Sequence, residues 1–112
     1  MNHIEFIKGD DYFGSFPVRD KNGNNITTAN ITMTCRLQPS KQSAIMFQKT
    51  STKNEIAYRD GSWHFQINKD DTKDMLTNID YGYDIQCIYN GVTKTKVGTI
   101  KLNEQFTFGN EE

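Results

Sequence analysis

Side chains that could carry out acid–base or nucleophilic chemistry are few in this sequence. Its two histidines, His3 and His64, lie far apart along the chain. His64 falls on the outward side of an alternating segment, where a surface histidine is the simpler interpretation. A histidine that acts as a general base needs a nucleophile held beside it, and the spacing implies none. We therefore expect a protein that is not an enzyme.

The two cysteines, Cys35 and Cys87, lie at positions that the alternation of their strands directs inward. Together with two distant histidines they do not give the spacing of a metal site. The N-terminus lacks the charged and then apolar architecture of a secretion signal, so we expect synthesis in the cytoplasm and two reduced, buried thiols. A disulfide that bridges two sheets is the alternative.

Two acidic clusters, Asp10-Asp11 and the run from Asp70 to Asp74, could hold Ca²⁺ through carboxylate oxygens. Neither cluster has the full ligand spacing of an EF-hand loop, and the second cluster has Lys69 next to it and Lys73 within it. Solvated turns are the simpler interpretation, and we predict no metal and no other cofactor.

The balance of charge argues against two classes of partner. The chain has 13 Lys and Arg against 14 Asp and Glu, and its sequence pI is about 6.1. The lysines at 94, 96 and 101 could touch nucleic acid, but the overall balance is slightly acidic. No apolar run approaches membrane-spanning length. We therefore expect neither a nucleic acid nor a membrane as partner.

Exposed aromatic residues raise carbohydrate binding as an alternative function, because sugars stack on flat rings. Trp63, His64 and Tyr58 are the candidate contacts for a glycan or a protein partner. Aromatic residues at every second position of a strand are more often part of a core. A carbohydrate- or receptor-binding module therefore stays open as the second hypothesis.

The strongest structural signal is a hairpin that spans Ile79 to Leu102. Five residues from Tyr81 to Tyr89 recur at every second position, the period of side chains on one face of a strand. Asn90-Gly91 follows directly and suits a two-residue type I′ turn, in which both residues need a positive φ. A run rich in Thr and Val then predicts the second strand. Asp60-Gly61 predicts a second hairpin of the same kind.

Seven to nine short strands and no long helical segment predict an all-β fold, an antiparallel sandwich or a small barrel. Pro17 places its strand at an edge or a bulge. We expect a single helical turn or a wide loop over 68–78. The whole chain, 1–112, is predicted to be one domain with a core over about 3–102, and 103–112 to be a possible last strand, with Phe106 and Phe108, and a frayed acidic tail. The predicted core residues are Met33, Cys35, Leu37, Phe65, Ile67, Tyr83, Ile85 and Cys87.

Several short motifs occur in a characteristic order along most of the chain, from about residue 4 to residue 102. This order resembles the immunoglobulin-like N-terminal domain of phage baseplate upper proteins, from tailed phages and prophages of Gram-positive bacteria. Tyr81 and Tyr83 at the start of a late strand also resemble a tyrosine corner, in which a hydroxyl returns to upstream backbone. The motifs are Gly9-Asp10-Asp11, Asp20 to Asn24, the strand from Ile31, Asp70-Asp71-Thr72 with Leu76, Tyr81 to Gln86, Asn90-Gly91 and Gly98 to Ile100.

The resemblance implies an immunoglobulin-like β-sandwich that is a structural part of a virion tail baseplate. Such a module docks onto other tail proteins, and we expect several copies to assemble as a homo-oligomer. From the residues themselves, the edge strand around Pro17 and the loop over 68–78 are the expected contact regions, because they are irregular beside an otherwise regular pattern. The longer members of the family continue into a coiled coil or fibre, which this sequence lacks, so we expect a separated domain or a short prophage product. The resemblance implies no catalytic residues.

Overall fold

The computed structural model describes residues 3–38 and 42–105, in which strands follow the alternating segments of the sequence. The predicted strand over 103–112, with Phe106 and Phe108, lies mostly outside the described residues. In chain order the elements are β1 (His3–Ile7), β2 (Tyr12–Phe16), β3 (Asn30–Arg36), β4 (Ile45–Thr50), β5 (Ile56–Arg59), β6 (Ser62–Ile67), α1 (Lys69–Thr72), β7 (Asp80–Tyr89) and β8 (Val92–Asn103).

The eight described strands form two sheets that supply the two layers of the fold. A five-stranded sheet has the order β1-β8-β7-β3-β4, and a three-stranded sheet has the order β2-β6-β5. The fold is therefore all-β, as predicted. β2 is an edge strand that ends at Phe16, directly before Pro17, in agreement with the prediction that proline implied.

The larger sheet is mixed, so the prediction of a wholly antiparallel fold is wrong. β1 pairs with β8 in parallel, from His3 opposite Thr99 to Ile7 opposite Asn103. The other described strand pairs are antiparallel. Alternation of apolar and polar residues sets which face a side chain occupies but carries no information on the direction of a neighbouring strand.

Two tight turns join neighbouring strands as predicted. Asn90 and Gly91, between β7 and β8, have φ of 48° and 75°, and Asp60 and Gly61, between β5 and β6, have 53° and 85°. Positive φ at both central residues is the requirement of a type I′ turn, whose twist matches that of the flanking strands. These turns fix the register of both hairpins.

The core lies between the two sheets and is filled by the inward residues of each strand. Seven of the eight predicted core residues are buried, whereas Leu37 keeps 43% of its surface exposed. The prediction for Leu37 is wrong because β3 ends at Arg36, so this residue has already left the sheet. Within the smaller sheet, Gly14 leaves room for the ring of its cross-strand partner Phe65, since a Cβ at this position would collide with that ring.

The two cysteines lie on adjacent strands of the same sheet, which leaves no room for the disulfide alternative. Cys35 is opposite Tyr83 and Cys87 is opposite Ile31, so the thiols are about 13 Å apart along the strands. That separation is too large for a disulfide. Both are free thiols, and burial raises the pKa of Cys35 to about 12 and raises the pKa of Cys87.

Candidate functional site

The end of the sandwich at which β1, β3 and β8 finish is closed by the segment 68–78, which we call the cap segment. Its first turn, α1, is held by an ion pair between Lys49 Nζ and Asp71 Oδ2 at 2.6 Å. The two side chains are only 9% and 19% exposed, and the same carboxylate oxygen accepts the Asn68 N–H at 2.9 Å. Lys49 belongs to the inward face of β4, so this pair ties the cap segment to the larger sheet.

Four further hydrogen bonds hold the cap segment along its length. Tyr81 Oη accepts the Leu76 N–H at 2.7 Å, which is the upstream return that a tyrosine corner requires. The others are from Lys8 Nζ to the Met75 carbonyl (2.7 Å), from the Asn78 N–H to the Leu102 carbonyl (2.7 Å) and from the Lys69 N–H to Asp11 Oδ1 (3.2 Å).

The acidic clusters that raised the possibility of Ca²⁺ take part in these contacts. Asp11 accepts a backbone amide and Asp71 pairs with a lysine, so one carboxylate of each cluster already has a partner in the protein. Within residues 3–38 and 42–105, no group of three or more His, Cys, Asp and Glu side chains is close enough to hold a metal ion.

Exposed aliphatic side chains lie around the same end, spread from β1 at one edge of the larger sheet to β4 at the other, and we call this set the end patch. The Leu37 N–H donates to the Ala44 carbonyl, which places Leu37 beside the start of β4, and β1 ends next to the end of β8. Single exposed apolar residues are common on surfaces, whereas several at one end of a fold are a feature of contact surfaces. The members of the end patch are Ile7 (37% exposed), Leu37 (43%), Ile45 (50%), Leu76 (64%) and Ile79 (39%).

The three predicted contact residues do not form one surface. Trp63 is 5% exposed, and its indole N–H donates to the Ile26 carbonyl at 2.9 Å, so its ring belongs to the core and is not a stacking surface. Tyr58 is half-buried against it, with ring centroids 5.7 Å apart in an edge-to-face arrangement. His64 occupies the opposite, outer face of β6, with Nε2 2.9 Å from the Arg59 carbonyl.

The other histidine joins a hydroxyl and a carboxylate that the spacing had not suggested. His3 Nδ1 lies 2.7 Å from Thr99 Oγ1, and His3 Nε2 lies 3.0 Å from Glu5 Oε1. Hydrogen bonds from Asn103 and His3 lower the pKa of Glu5, so its carboxylate stays ionised. The order of groups is that of a nucleophile, a base and an orienting acid. All three lie on the open outer face of the sheet, where bulk water reaches them, and there the contacts fasten β1 to β8.

A shallow groove of about 310 Å³ lies on the flank where the chain crosses between the sheets, and we call it the neutral groove. One wall runs from Thr27 to Asn30, the first residue of β3, and the other is Ser51, Thr52 and Asn54 after β4. The remaining lining residues are Ile56, Ala57 and Tyr58 of β5 and Trp63 of β6. The sequence predicted these walls only as a connection and a loop. The sequence feature that could have identified the walls is a local excess of neutral hydroxyl and amide side chains, in Thr27-Thr28-Ala29-Asn30 and Thr50-Ser51-Thr52.

No protein-family model matches the chain, and no curated protein matches it significantly. In the described part of the chain no helix has the length and apolar character needed to cross a membrane.

Proposed function

We propose that this chain is a structural module of a phage or prophage tail baseplate, which acts by docking onto other tail proteins. The observation that carries the proposal is the end patch on a rigid sandwich. An exposed group of aliphatic residues beside a polar rim is typical of a protein–protein contact surface. The patch includes Leu76, which lies in the loop over 68–78 that was predicted as a contact region from its irregular sequence pattern.

The order of the strands supports the immunoglobulin-like part of the proposal. In that fold one sheet contains strands B, E and D and the other contains G, F and C, extended by C′ in the variable type. The order β2-β6-β5 corresponds to the first set, and β8-β7-β3-β4 corresponds to the second. The hydrogen bond from the Leu76 N–H to Tyr81 lies where a tyrosine corner is expected, before the strand equivalent to F.

The motifs that carry the resemblance occupy turns and pairing positions on this framework. Gly9 has a φ of 99° in the turn after β1. Asp20 closes its turn by accepting the Asn22 and Asn24 N–H groups, each at 2.9 Å, and these bonds lower its pKa. Asp71 anchors α1, and Asn90-Gly91 turns the central hairpin. The motifs are thus the residues on which the backbone path depends.

The proposal is tested by recovering partners from a culture that produces the phage or prophage encoding this chain. The tagged protein is expected to co-purify with tail proteins, and L76D is expected to lose them because a charge interrupts the end patch. F13S is the matched control, since Phe13 is 73% exposed but lies on the outer face of the smaller sheet. Recovery of no tail protein by the unaltered chain, or equal recovery by L76D, would contradict the proposal.

A separate assay distinguishes a hydrolase from a docking module. p-Nitrophenyl acetate is expected to be hydrolysed at the same rate with the unaltered protein and with T99A, since the Thr99–His3–Glu5 group lies on an open face. A rate above the buffer rate that T99A abolishes would favour an esterase instead.

A further inference from the structure

The neutral groove has a lining that differs in charge from the rest of the molecule. None of the described residues that line it carries a charge, although 24% of the chain consists of Asp, Glu, Lys and Arg. An ionic ligand would find no countercharge in the groove and would lose hydration on entering it. The lining therefore favours an uncharged ligand.

The groove offers hydrogen-bonding groups that the fold itself does not use. The side chains of Thr27, Thr28 and Asn54 make no hydrogen bond to any other residue in the described part of the chain. Threonine hydroxyls and an asparagine amide can both donate and accept. Such groups match a ligand that carries several hydroxyls, since each hydroxyl also donates and accepts.

The walls of the groove are held in place before any ligand arrives. Ser51 Oγ accepts the Ile31 N–H at 2.9 Å and donates to the Ala29 carbonyl at 3.3 Å, so it joins one wall to the other. The Trp63 indole fixes the start of the first wall through the Ile26 carbonyl. A preformed site avoids part of the entropy cost of ordering its groups on binding.

Tyr58 adds an aromatic surface between the two walls. Its ring packs edge to face against Trp63, which limits its movement, and the side chain is still partly exposed. A ring with an apolar face next to hydrogen-bonding groups suits a ligand that is apolar on one side and polar at its rim. A pyranose has this character, with C–H bonds on one face and hydroxyls around the edge.

We propose that the neutral groove binds an uncharged hexose, with Tyr58 against the C–H face of the sugar and with Thr27, Thr28 and Asn54 at its hydroxyls. This site replaces the Trp63, His64 and Tyr58 surface that the sequence suggested: Tyr58 and the buried Trp63 line the groove, and His64 does not. It is independent of docking through the end patch, because the two surfaces share no residue.

Titration of the isotope-labelled full chain with single sugars tests the proposal by NMR. The probes are methyl glucoside, methyl galactoside and N-acetylglucosamine, with glucuronate and glucosamine as charged comparators. At least one neutral probe is expected to bind with a Kd of about 1 mM and to shift the amide signals of residues 27–30 and 51–54. The charged comparators are expected to bind about tenfold more weakly.

Three variants locate the binding site. Y58A is expected to weaken binding about tenfold through loss of the stacking surface. N54G removes the amide but keeps the backbone, because Asn54 has a φ of 62° that glycine adopts freely. It is expected to weaken binding severalfold and provides the test if Y58A fails to fold. F13A, which removes an exposed ring outside the groove, is expected to bind as the unaltered chain does.

The result that would overturn the proposal is the absence of any shift at residues 27–30 and 51–54 with all three neutral sugars. Equal binding by folded N54G and by the unaltered chain would overturn it as well. Stronger binding of glucuronate or glucosamine than of the neutral sugars would also count against it, since an uncharged lining gives no reason for that preference.

Discussion

The two ends of the larger sheet protect their cores in different ways. At the closed end, the inward residues Ile100 and Leu102 of β8 are fully buried, and the cap segment is bonded to the Leu102 carbonyl through the Asn78 N–H. The other end is the hairpin arm, residues 84–97 of β7 and β8. There the inward positions of β8 are Lys94 and Lys96, opposite Cys87 and Ile85.

In the hairpin arm, long cationic side chains cover apolar surface of the sheet, whereas at the closed end the chain itself crosses over the sheet as the cap segment. Lys94 Nζ donates to the Arg19 carbonyl at 2.8 Å and lies 5.9 Å from the centroid of the Tyr89 ring. Its aliphatic stem covers apolar surface while its ammonium group reaches the polar connection between β2 and β3. Tyr89, on the inward face of β7, is buried, with 8% exposure. The stability of the closed end therefore depends on a few specific contacts, each with a large energy. The stability of the hairpin arm depends on contacts of flexible side chains, each with a small energy.

The largest expected effect is loss of the buried ion pair at the closed end. K49M leaves the Asp71 carboxylate without its cation, so the free energy of unfolding is expected to fall by about 3 kcal/mol. R59M, which breaks the exposed Arg59–Asp60 pair, is the control and is expected to change it by less than about 0.5 kcal/mol. Urea unfolding measures both. Equal losses would mean that the closed end has no special role.

The double variant K49M/D71N refines this test. Asparagine keeps an oxygen for the Asn68 N–H but carries no charge that needs a partner. It is expected to recover part of the stability that K49M loses, because removing both charges costs less than leaving one buried and unpaired. A double variant less stable than K49M would point to packing of the lysine stem as the main contribution.

The dependence of stability on alkaline pH compares the two regions, because Cys35 lies at the closed end and Cys87 in the hairpin arm. Burial raises the pKa of Cys35 to about 12 from an ordinary value of 9.0, so the folded protein retains a proton that the unfolded chain loses above pH 9. Stability is therefore unaffected by this group below pH 9 and falls between pH 9 and 12, by up to about 1.4 kcal/mol per pH unit. C35A is expected to flatten the alkaline decline in urea-unfolding free energy.

C87A is the matched variant for the hairpin arm. Burial raises the pKa of Cys87, but nearby Lys94 opposes the shift by favouring the thiolate. Its removal is therefore expected to flatten the alkaline decline less than C35A does. A larger effect of C87A than of C35A would mean that the Cys87 thiol is more completely buried in the hairpin arm than the Cys35 thiol is at the closed end.

Loss of the Tyr81 hydroxyl is expected to have a smaller effect. Y81F leaves the Leu76 N–H without its acceptor, so thermal unfolding should show a loss of about 1 kcal/mol. Y58F, at the half-buried ring of β5, is expected to change stability by less than about 0.5 kcal/mol. Similar losses of stability in Y81F and Y58F would show that this hydrogen bond does not stabilise the closed end.

The smallest effect is expected from the lysine that covers the arm. K94M keeps most of the aliphatic stem and loses the ammonium contacts, so it is expected to cost only about 0.5 kcal/mol. Chemical denaturation of K94M and Y81F under the same conditions ranks the two variants by their free energy of unfolding. A loss of 2 kcal/mol or more would show that the arm also depends on one specific contact.

Local patterns in the sequence were sufficient for much of the fold. The alternation from Tyr81 to Tyr89, the type I′ turns and the helical turn α1 follow from side-chain period and backbone preference within a few neighbouring residues. The tyrosine-corner hydrogen bond spans only five residues and was also anticipated. These features are local, so no knowledge of the other sheet was needed.

The remaining features depend on contacts between distant parts of the chain. The direction of β1, the exposure of Leu37 and the burial of Trp63 each depend on where another strand ends or passes. Lys49 is an unusual inward residue whose partner, Asp71, is 22 positions later, so period alone could not identify the pair. The neutral groove was missed because its two walls come from separate connections.

The parallel pairing of β1 with β8 determines how the fold would respond to tension. A pull applied through His3 and through Asn103 drives the two strands past each other along their length, because both run in the same direction. Five residue pairs then bear the load together, instead of opening one after another from an end as in an antiparallel terminal pair. The fold is therefore arranged to resist shear between β1 and β8.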